Sequence, residues 1–248
     1  MLPIVLIHGF PLDARMWESQ AEFLRKRGMH VITPDLPGFG KKTPLPREQT
    51  SMEAFAEEIH RIIVQEAGGK AVVGGFSMGG YVLQALLRAH PESVAAAMFI
   101  STRTDQDTPT AREGRLKSIE HVTQNGTAAL IDTMLGKIMA KQPTAAVKKR
   151  VKEIMANQSA AGIINAQLAM AQRRDQTDLL TKLEIPLLIV VGAEDAVSTP
   201  SVALGMQAHA QGGAAMLVQI AAAGHMAPME QPAAVNDAIL AFLNTVHI

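Results

Sequence analysis

The residues best equipped to do chemistry are Ser77, Asp195 and His225, met in that order along a chain of 248 residues. Ser77 sits in Gly75-Phe76-Ser77-Met78-Gly79, after the strand-like run Ala71-Val72-Val73 and before the helix-like run from Tyr81 to Leu87. A serine on a sharp strand-to-helix turn takes a strained backbone conformation. The residues two before and two after it must be small, because the turn brings their Cα atoms against neighbouring backbone. Such a turn lifts the hydroxyl clear of the sheet. It also sets Ser77 at a helix N-terminus, where the N–H of Met78 and the helix dipole can stabilise a developing oxyanion.

Serine is a poor nucleophile at neutral pH and needs a base within hydrogen-bond reach, which His225 offers from a loop after the last strand-like run. An imidazole in that role needs an acceptor that fixes its tautomer and stabilises the imidazolium. Asp195, in Gly192-Ala193-Glu194-Asp195 behind the run Leu187 to Val191, is the natural candidate. Asp105 and Asp107 compete for that role after the preceding strand, but they lie in a Thr- and Asp-rich stretch that reads as a flexible hinge. Glu194 is the adjacent carboxylate that mutagenesis must control for.

The elements that must hold these residues are legible from apolar patterning. Strand-length apolar runs near 3–8, 29–34, 70–76, 95–101, 186–192 and 215–220 alternate with helical patterns, the signature of parallel strands joined by crossovers. Thr50-Ser51-Met52-Glu53 has capping-box spacing, and Met52, Phe55, Ile59, Ile62 and Ile63 then recur at helical intervals. Met16, Trp17, Ala21 and Leu24 do the same before Gly28, as do Val235, Ala238, Ile239 and Phe242 behind Pro232. Between 103 and 182 the strands stop and several helices are expected, with apolar stripes such as Leu116, Ile119 and Val122.

Composition removes whole classes of function. The length favours one α/β domain with an insertion over two independent domains. Basic and acidic residues balance at 23 each, so nothing favours nucleic acid, an anionic membrane or steering of a strongly charged substrate. The absence of cysteine removes disulfides, a thiol nucleophile and a thiolate zinc site. No leader-like segment and no membrane-length apolar run is present, so a soluble cytoplasmic protein is expected. No metal and no cofactor is implied: Gly74 to Gly80 lacks the lysine of a phosphate-binding loop, and no carboxylate or histidine cluster has ligand spacing.

Four separated motifs then carry a resemblance. Ile4-Val5-Leu6-Ile7-His8-Gly9-Phe10, the Ser77 turn, the strand ending at Asp195 and Gly224-His225 resemble the α/β-hydrolase fold superfamily, in its small group of carboxylesterases, enol-lactonases and cofactor-free haloperoxidases. The chain order nucleophile, acid, histidine is that of this arrangement. The resemblance implies a mostly parallel sheet, here of about six strands because this sequence departs from the family in lacking its usual first two, which leaves the strand near 29–34 as an exposed edge. It implies a core over 1–102 and 183–248 and a helical cap over 103–182. It makes the N–H of Phe10 the second oxyanion donor, with the Phe10 side chain lining the acyl pocket. His8 reads as a structural prop, as do Asp35 and the Pro37 to Gly40 turn. Trp17 belongs in the core or at the pocket rim, and Arg103 is a solvated residue or a carboxylate contact. Met134, Met139, Met155 and Met170 pack the cap or give it an adaptable apolar lining.

The expected activity is that of a serine hydrolase cleaving small to medium carboxylic esters through an acyl-enzyme on Ser77. Its partner is a small-molecule ester or lactone, and a homo-oligomer is compatible with the sequence. The apolar cap and zero net charge favour an uncharged acyl group of roughly two to eight carbons. A lactonase, and then a cofactor-free perhydrolase or haloperoxidase, are the alternatives. A hydrolase-fold ligand receptor keeps the same three residues, and turnover of a simple activated ester separates it from the enzyme.

Overall fold

A computed structural model describes residues 2–210, 212 and 215–246. Six strands form one parallel sheet in the order β2-β1-β3-β4-β5-β6: β1 is Ile4–Ile7, β2 Val31–Ile32, β3 Ala71–Phe76, β4 Val94–Ile100, β5 Leu187–Gly192 and β6 Ala215–Ile220. Strands buried on both faces carry apolar residues at successive positions rather than in alternation. Val5, Ile7, Val73, Phe99 and Ile189 enter the core on one side, and Ile4, Leu6, Val72, Met98 and Leu188 enter the core on the other.

Helices supply those two cores. α1 (Glu18–Arg25) and the C-terminal α11 (Pro232–Thr245) cover one face; α2 (Met52–Glu66), α3 (Met78–Ala89) and α9 (Pro200–His209) cover the other. α2 starts one residue later than the capping-box spacing suggests. Ser51 rather than Thr50 is its cap, accepting from the N–H of Ala54 at 3.0 Å, while the Thr50 hydroxyl donates to the Pro46 carbonyl. The 29–34 run shortens to two residues of strand because β2 is an edge with a single partner and Pro34 has no N–H to give. Arg25 donates to the Val31 carbonyl at 2.8 Å and so occupies one acceptor of that edge.

Between β4 and β5 the chain leaves the sheet as α4 (Pro109–Asn125), α5 (Ala128–Ile138), α6 (Ala145–Ala156), α7 (Ala160–Gln172) and the single turn α8 (Thr177–Leu180). A second single turn, α10 (Ala227–Glu230), precedes α11. α4 packs along α7 and α5 along α6. Ile119 and Val122 of α4 are buried, whereas Leu116 stays exposed, so the stripe is narrower than the spacing indicates.

The Thr- and Asp-rich stretch before α4 is tied down at several points, against its reading as a flexible hinge. The Thr104 carbonyl accepts from the Gln176 N–H at 2.8 Å, the Arg103 carbonyl accepts from the Gln84 amide at 2.8 Å, and Thr102 and Thr104 are buried. Asp107 is clamped between Arg115 (2.5 Å) and the buried Arg173 (2.7 Å), joining α4 to the end of α7. Burial alone would raise the Asp107 carboxyl, but hydrogen bonds and charge from the two guanidiniums outweigh it and hold it below the ordinary value of 3.8.

A carboxyl lowered by folding stabilises the native state above its unfolded value, and that contribution disappears as pH falls through the lowered one. Asp107→Asn is therefore expected to cost about 3 kcal/mol at pH 7, because Arg173 is left buried without its counter-charge. In denaturant titrations the gap between variant and wild type should close as pH drops below 4. A pH-independent gap would show that the ion pairs are not its source.

Candidate active site

The turn from β3 into α3 holds Ser77 at φ 50°, ψ −112°, in a left-handed conformation unusual for a residue with a Cβ. Three bonds keep it there. The Ser77 N–H donates to the Ile100 carbonyl at 2.9 Å, and its carbonyl accepts from Gly80 N–H at 2.9 Å and from the Thr102 hydroxyl at 2.8 Å. The crowding foreseen around the serine is real. A Cβ on Gly75 would lie 2.3 Å from the Gly79 carbonyl oxygen, and one on Gly79 would lie 2.3 Å from that of Ile7.

The loops after β5 and β6 deliver the other two residues. Ala193 N–H donates to Ile220 and Glu194 N–H to Ala223, both at 2.8 Å, which zips the two loops together. Asp195 is buried. Its Oδ1 accepts from the N–H groups of Val197 and Ser198, each at 2.8 Å, and its Oδ2 lies 2.9 Å from His225 Nδ1. His225 Nε2 lies 2.9 Å from Ser77 Oγ, so the three side chains form one continuous hydrogen-bonded line. The His225 ring leans on Phe76 (centroids 5.1 Å), and Phe76 meets the fully buried Trp17 edge-on at 6.3 Å. Trp17 thus belongs to the core and braces the histidine through one intervening ring.

Other carboxylates hold backbone rather than the imidazole. Glu194 accepts from Lys141 N–H at 2.7 Å. Glu230 accepts from the N–H groups of Ala140 (2.7 Å) and Gly224 (2.8 Å), fixing the residue before His225; burial pushes its carboxyl above the ordinary value. Asp105 pairs with Arg103 at 2.7 Å, which keeps Arg103 out of the cavity wall.

His8 is fully buried away from the cavity. Its Nε2 accepts from Leu36 N–H at 2.9 Å and its Nδ1 donates to the Gly9 carbonyl, which fixes one neutral tautomer. Burial lowers its pKa. Asp35 accepts from Ala14 and Lys41 N–H groups and organises the loop beside it. Among the described residues, the N–H groups of Phe10 and Met78 donate to no protein acceptor; that of Met78 is the first of α3 and has no carbonyl a turn below.

Ser77 and His225 open onto a cavity of about 160 Å³. Phe10, Met134, Ile138, Met170, Val197 and Met226 make its apolar wall, joined by Tyr81, Arg115 and Lys137. Of the four methionines singled out in sequence, Met134 and Met170 reach the cavity, whereas Met155 is fully buried in the core and Met139 packs against it. Tyr81 lies one helical turn beyond Ser77, and Val197 and Met226 are close neighbours of Asp195 and His225, so their presence was within reach of sequence reasoning. Arg115 and Lys137 carry no such signal, since only the packing of α4 and α5 brings them here. A larger groove of about 370 Å³ between α1 and α6 has no histidine among the described residues of its wall. Among the described residues no group of three or more His, Asp or Glu side chains is placed to hold a metal, and no helix is long and apolar enough to cross a membrane.

Comparison with known proteins agrees with this architecture. The family model of the alpha/beta hydrolase fold matches residues 3–232, and the chain belongs to that family. It is 29% identical to the (E)-2-((N-methylformamido)methylene)succinate hydrolase of Acinetobacter baylyi, over 98% of this chain and 90% of that protein. A malate-bound structure of a thermophilic esterase from Thermogutta terrifontis superposes with a TM-score of 0.93 at 35% identity, covering 100% of this chain and 91% of that one. The enol-lactonase from Burkholderia xenovorans LB400 shares the fold, with a TM-score of 0.84 at 19% identity over 98% of this chain and 92% of that one. The protein is thus an α/β hydrolase with hydrolase, esterase and haloperoxidase-like relatives.

The crowding at the turn yields a paired test. Gly79→Ala should destabilise the protein by about 1–3 kcal/mol, since the obstacle is the Ile7 backbone, which cannot swing aside. Gly205→Ala, in α9 with nothing within 4 Å, should be neutral or stabilising by up to about 1 kcal/mol. Thermal unfolding of both variants measures the contrast, and equal effects would contradict the packing described.

Proposed function

We propose that the protein is a serine hydrolase that cleaves small to medium carboxylic esters through an acyl-enzyme on Ser77. The single observation that carries this reading is the line Asp195–His225–Ser77, with both links at 2.9 Å. His225 Nε2 takes the Ser77 proton as Oγ attacks the ester carbonyl, and Asp195, anchored by two N–H groups, holds Nδ1–H and stabilises the imidazolium. The N–H groups of Phe10 and Met78 receive the negative charge that develops on the carbonyl oxygen. The tetrahedral intermediate collapses as His225 returns the proton to the departing alcohol. Water then repeats the sequence on the acyl-enzyme, with His225 as base, releasing the acid and restoring Ser77.

The helices α4 to α8 act in this reading as a cap over 103–182, on a core formed by 1–102 and 183–248. Met134 and Ile138 from α5 and Met170 from α7 close the cavity above Ser77 and exclude water from the reacting ester. The cavity is small beside the several hundred Å³ usual for drug-sized ligands, which supports a short to medium acyl group. The esterase and hydrolase names of the similar proteins support hydrolysis as the reaction class.

A fluorophosphonate probe is expected to label Ser77 alone, and Ser77→Ala should abolish labelling and lower kcat on p-nitrophenyl esters by on the order of 10⁶. Labelling elsewhere in active protein would remove Ser77 from its role. Asp195→Asn should lower kcat by on the order of 10⁴ by leaving His225 in the wrong tautomer. Glu194→Gln and Asp105→Asn should cost far less, and the reverse ranking would put the acid elsewhere.

A further inference from the structure

The cavity wall has a charge imbalance that the neutral composition of the chain conceals. Arg115 and Lys137 line it, and among the described residues no carboxylate does. Arg115 is not neutralised one-to-one: among the described residues its acidic partner is Asp107, which is shared with Arg173, so two guanidiniums face one carboxylate. Lys137, exposed near the end of α5, has no ion pair or hydrogen bond among the described residues. Asp132, on the same helix, is taken by Lys152 at 2.6 Å. Asp195 has one oxygen on His225 and the other on two N–H groups, and Glu194 and Glu230 are held by backbone N–H groups outside the wall.

The two cations differ in kind. Arg115 is held in place, with its guanidinium bonded to Asp107 and to the Gln167 side chain at 3.1 Å. It is a fixed positive surface with few free donors. Lys137 is a point charge on a flexible stem, free to follow an anion at the cavity mouth. The rest of the wall is chiefly apolar, so an anionic group drawn in meets little competing polarity. An uncharged aliphatic ester would leave Lys137 with no anionic partner among the described residues.

We propose that the physiological substrate is an ester or lactone that itself carries a carboxylate, and that Lys137, backed by the positive surface of Arg115, binds that carboxylate while Ser77 attacks the ester carbonyl. The proposal rests on the serine-hydrolase reading and narrows its substrate class. It replaces the uncharged acyl group expected from net charge, because the charge that matters is local to the cavity.

The test compares methyl hydrogen glutarate, a half-ester with a free carboxylate, with methyl 4-carbamoylbutanoate, its neutral amide isostere. For wild type, kcat/KM should favour the half-ester by about tenfold or more, the scale of one charge-assisted contact. The difference should sit mainly in KM and shrink in 0.5 M salt. Lys137→Gln should move the ratio of the two kcat/KM values toward one, and Lys137→Glu should invert it. A wild-type ratio at or below one, or a ratio indifferent to both substitutions, overturns the proposal.

Calorimetric binding of the same two compounds to Ser77→Ala gives a readout independent of turnover. Preferential binding of the half-ester that disappears in Ser77→Ala/Lys137→Gln supports the anchor even if ester hydrolysis by wild type fails, an outcome that would sink the serine-hydrolase reading alone. Equal binding of the two compounds sinks the anchor.

Discussion

Everything at this site depends on one backbone residue held where its side chain makes it uncomfortable. Ser77 keeps a positive φ because β3 must stop, turn and enter α3 within a single residue. Residues with a Cβ occupy that region at a cost of roughly 1–3 kcal/mol, so the surroundings must over-determine it. They do so from two neighbouring strands. β4 contributes the Ile100 carbonyl and, just past its end, the Thr102 hydroxyl, and β1 presses the Ile7 carbonyl against Gly79. Parallel pairing of β3 with β1 and β4 is therefore what aims the serine, and the turn sequence only permits it.

The histidine and the aspartate obey a looser constraint. They ride on loops, which are inherently adaptable, and the structure compensates by tying loop to loop and loop to core. Two backbone bonds join the loops after β5 and β6, Asp195 accepts from the two N–H groups next along its own loop, and Glu230 pins Gly224 from behind. The Phe76 ring, itself backed by Trp17, limits how far the imidazole can tilt. Placement of this kind, in which each group's rotamer is fixed by a second contact, keeps a hydrogen-bonded line intact without a rigid element beneath it.

The helices between β4 and β5 make a different contribution. They add no residue to the hydrogen-bonded line, but they supply Arg115, Met134, Lys137, Ile138 and Met170 to the cavity and so decide what fits against Ser77. The Arg115–Asp107–Arg173 cluster anchors them at the β4 end, and its spare positive charge is felt at the cavity wall. One cluster thus serves both the packing of α4 on α7 and the electrostatics of the site.

Much of this was legible in the sequence because it is written in local chemistry. Both-face burial makes parallel strands read as apolar runs, so all six could be placed to within a few residues, and small residues flanking Ser77 announce a turn too tight for Cβ atoms. That Asp195, rather than Asp105 or Asp107, would stand next to His225 was also readable, since its spacing after β5 put it at a strand end where a loop faces the serine. Tertiary structure alone decided the rest. Arg103 and Arg115 look alike in sequence, yet Arg103 turns to Asp105 while Arg115 lines the cavity. The 102–108 stretch reads as a hinge until its partners on α7 and α8 arrive from far along the chain. Net charge, a sum over all residues, says nothing of where each charge lies. Helix packing brings Arg115 and Lys137 to one wall, and packing depends on contacts between segments that no local pattern encodes.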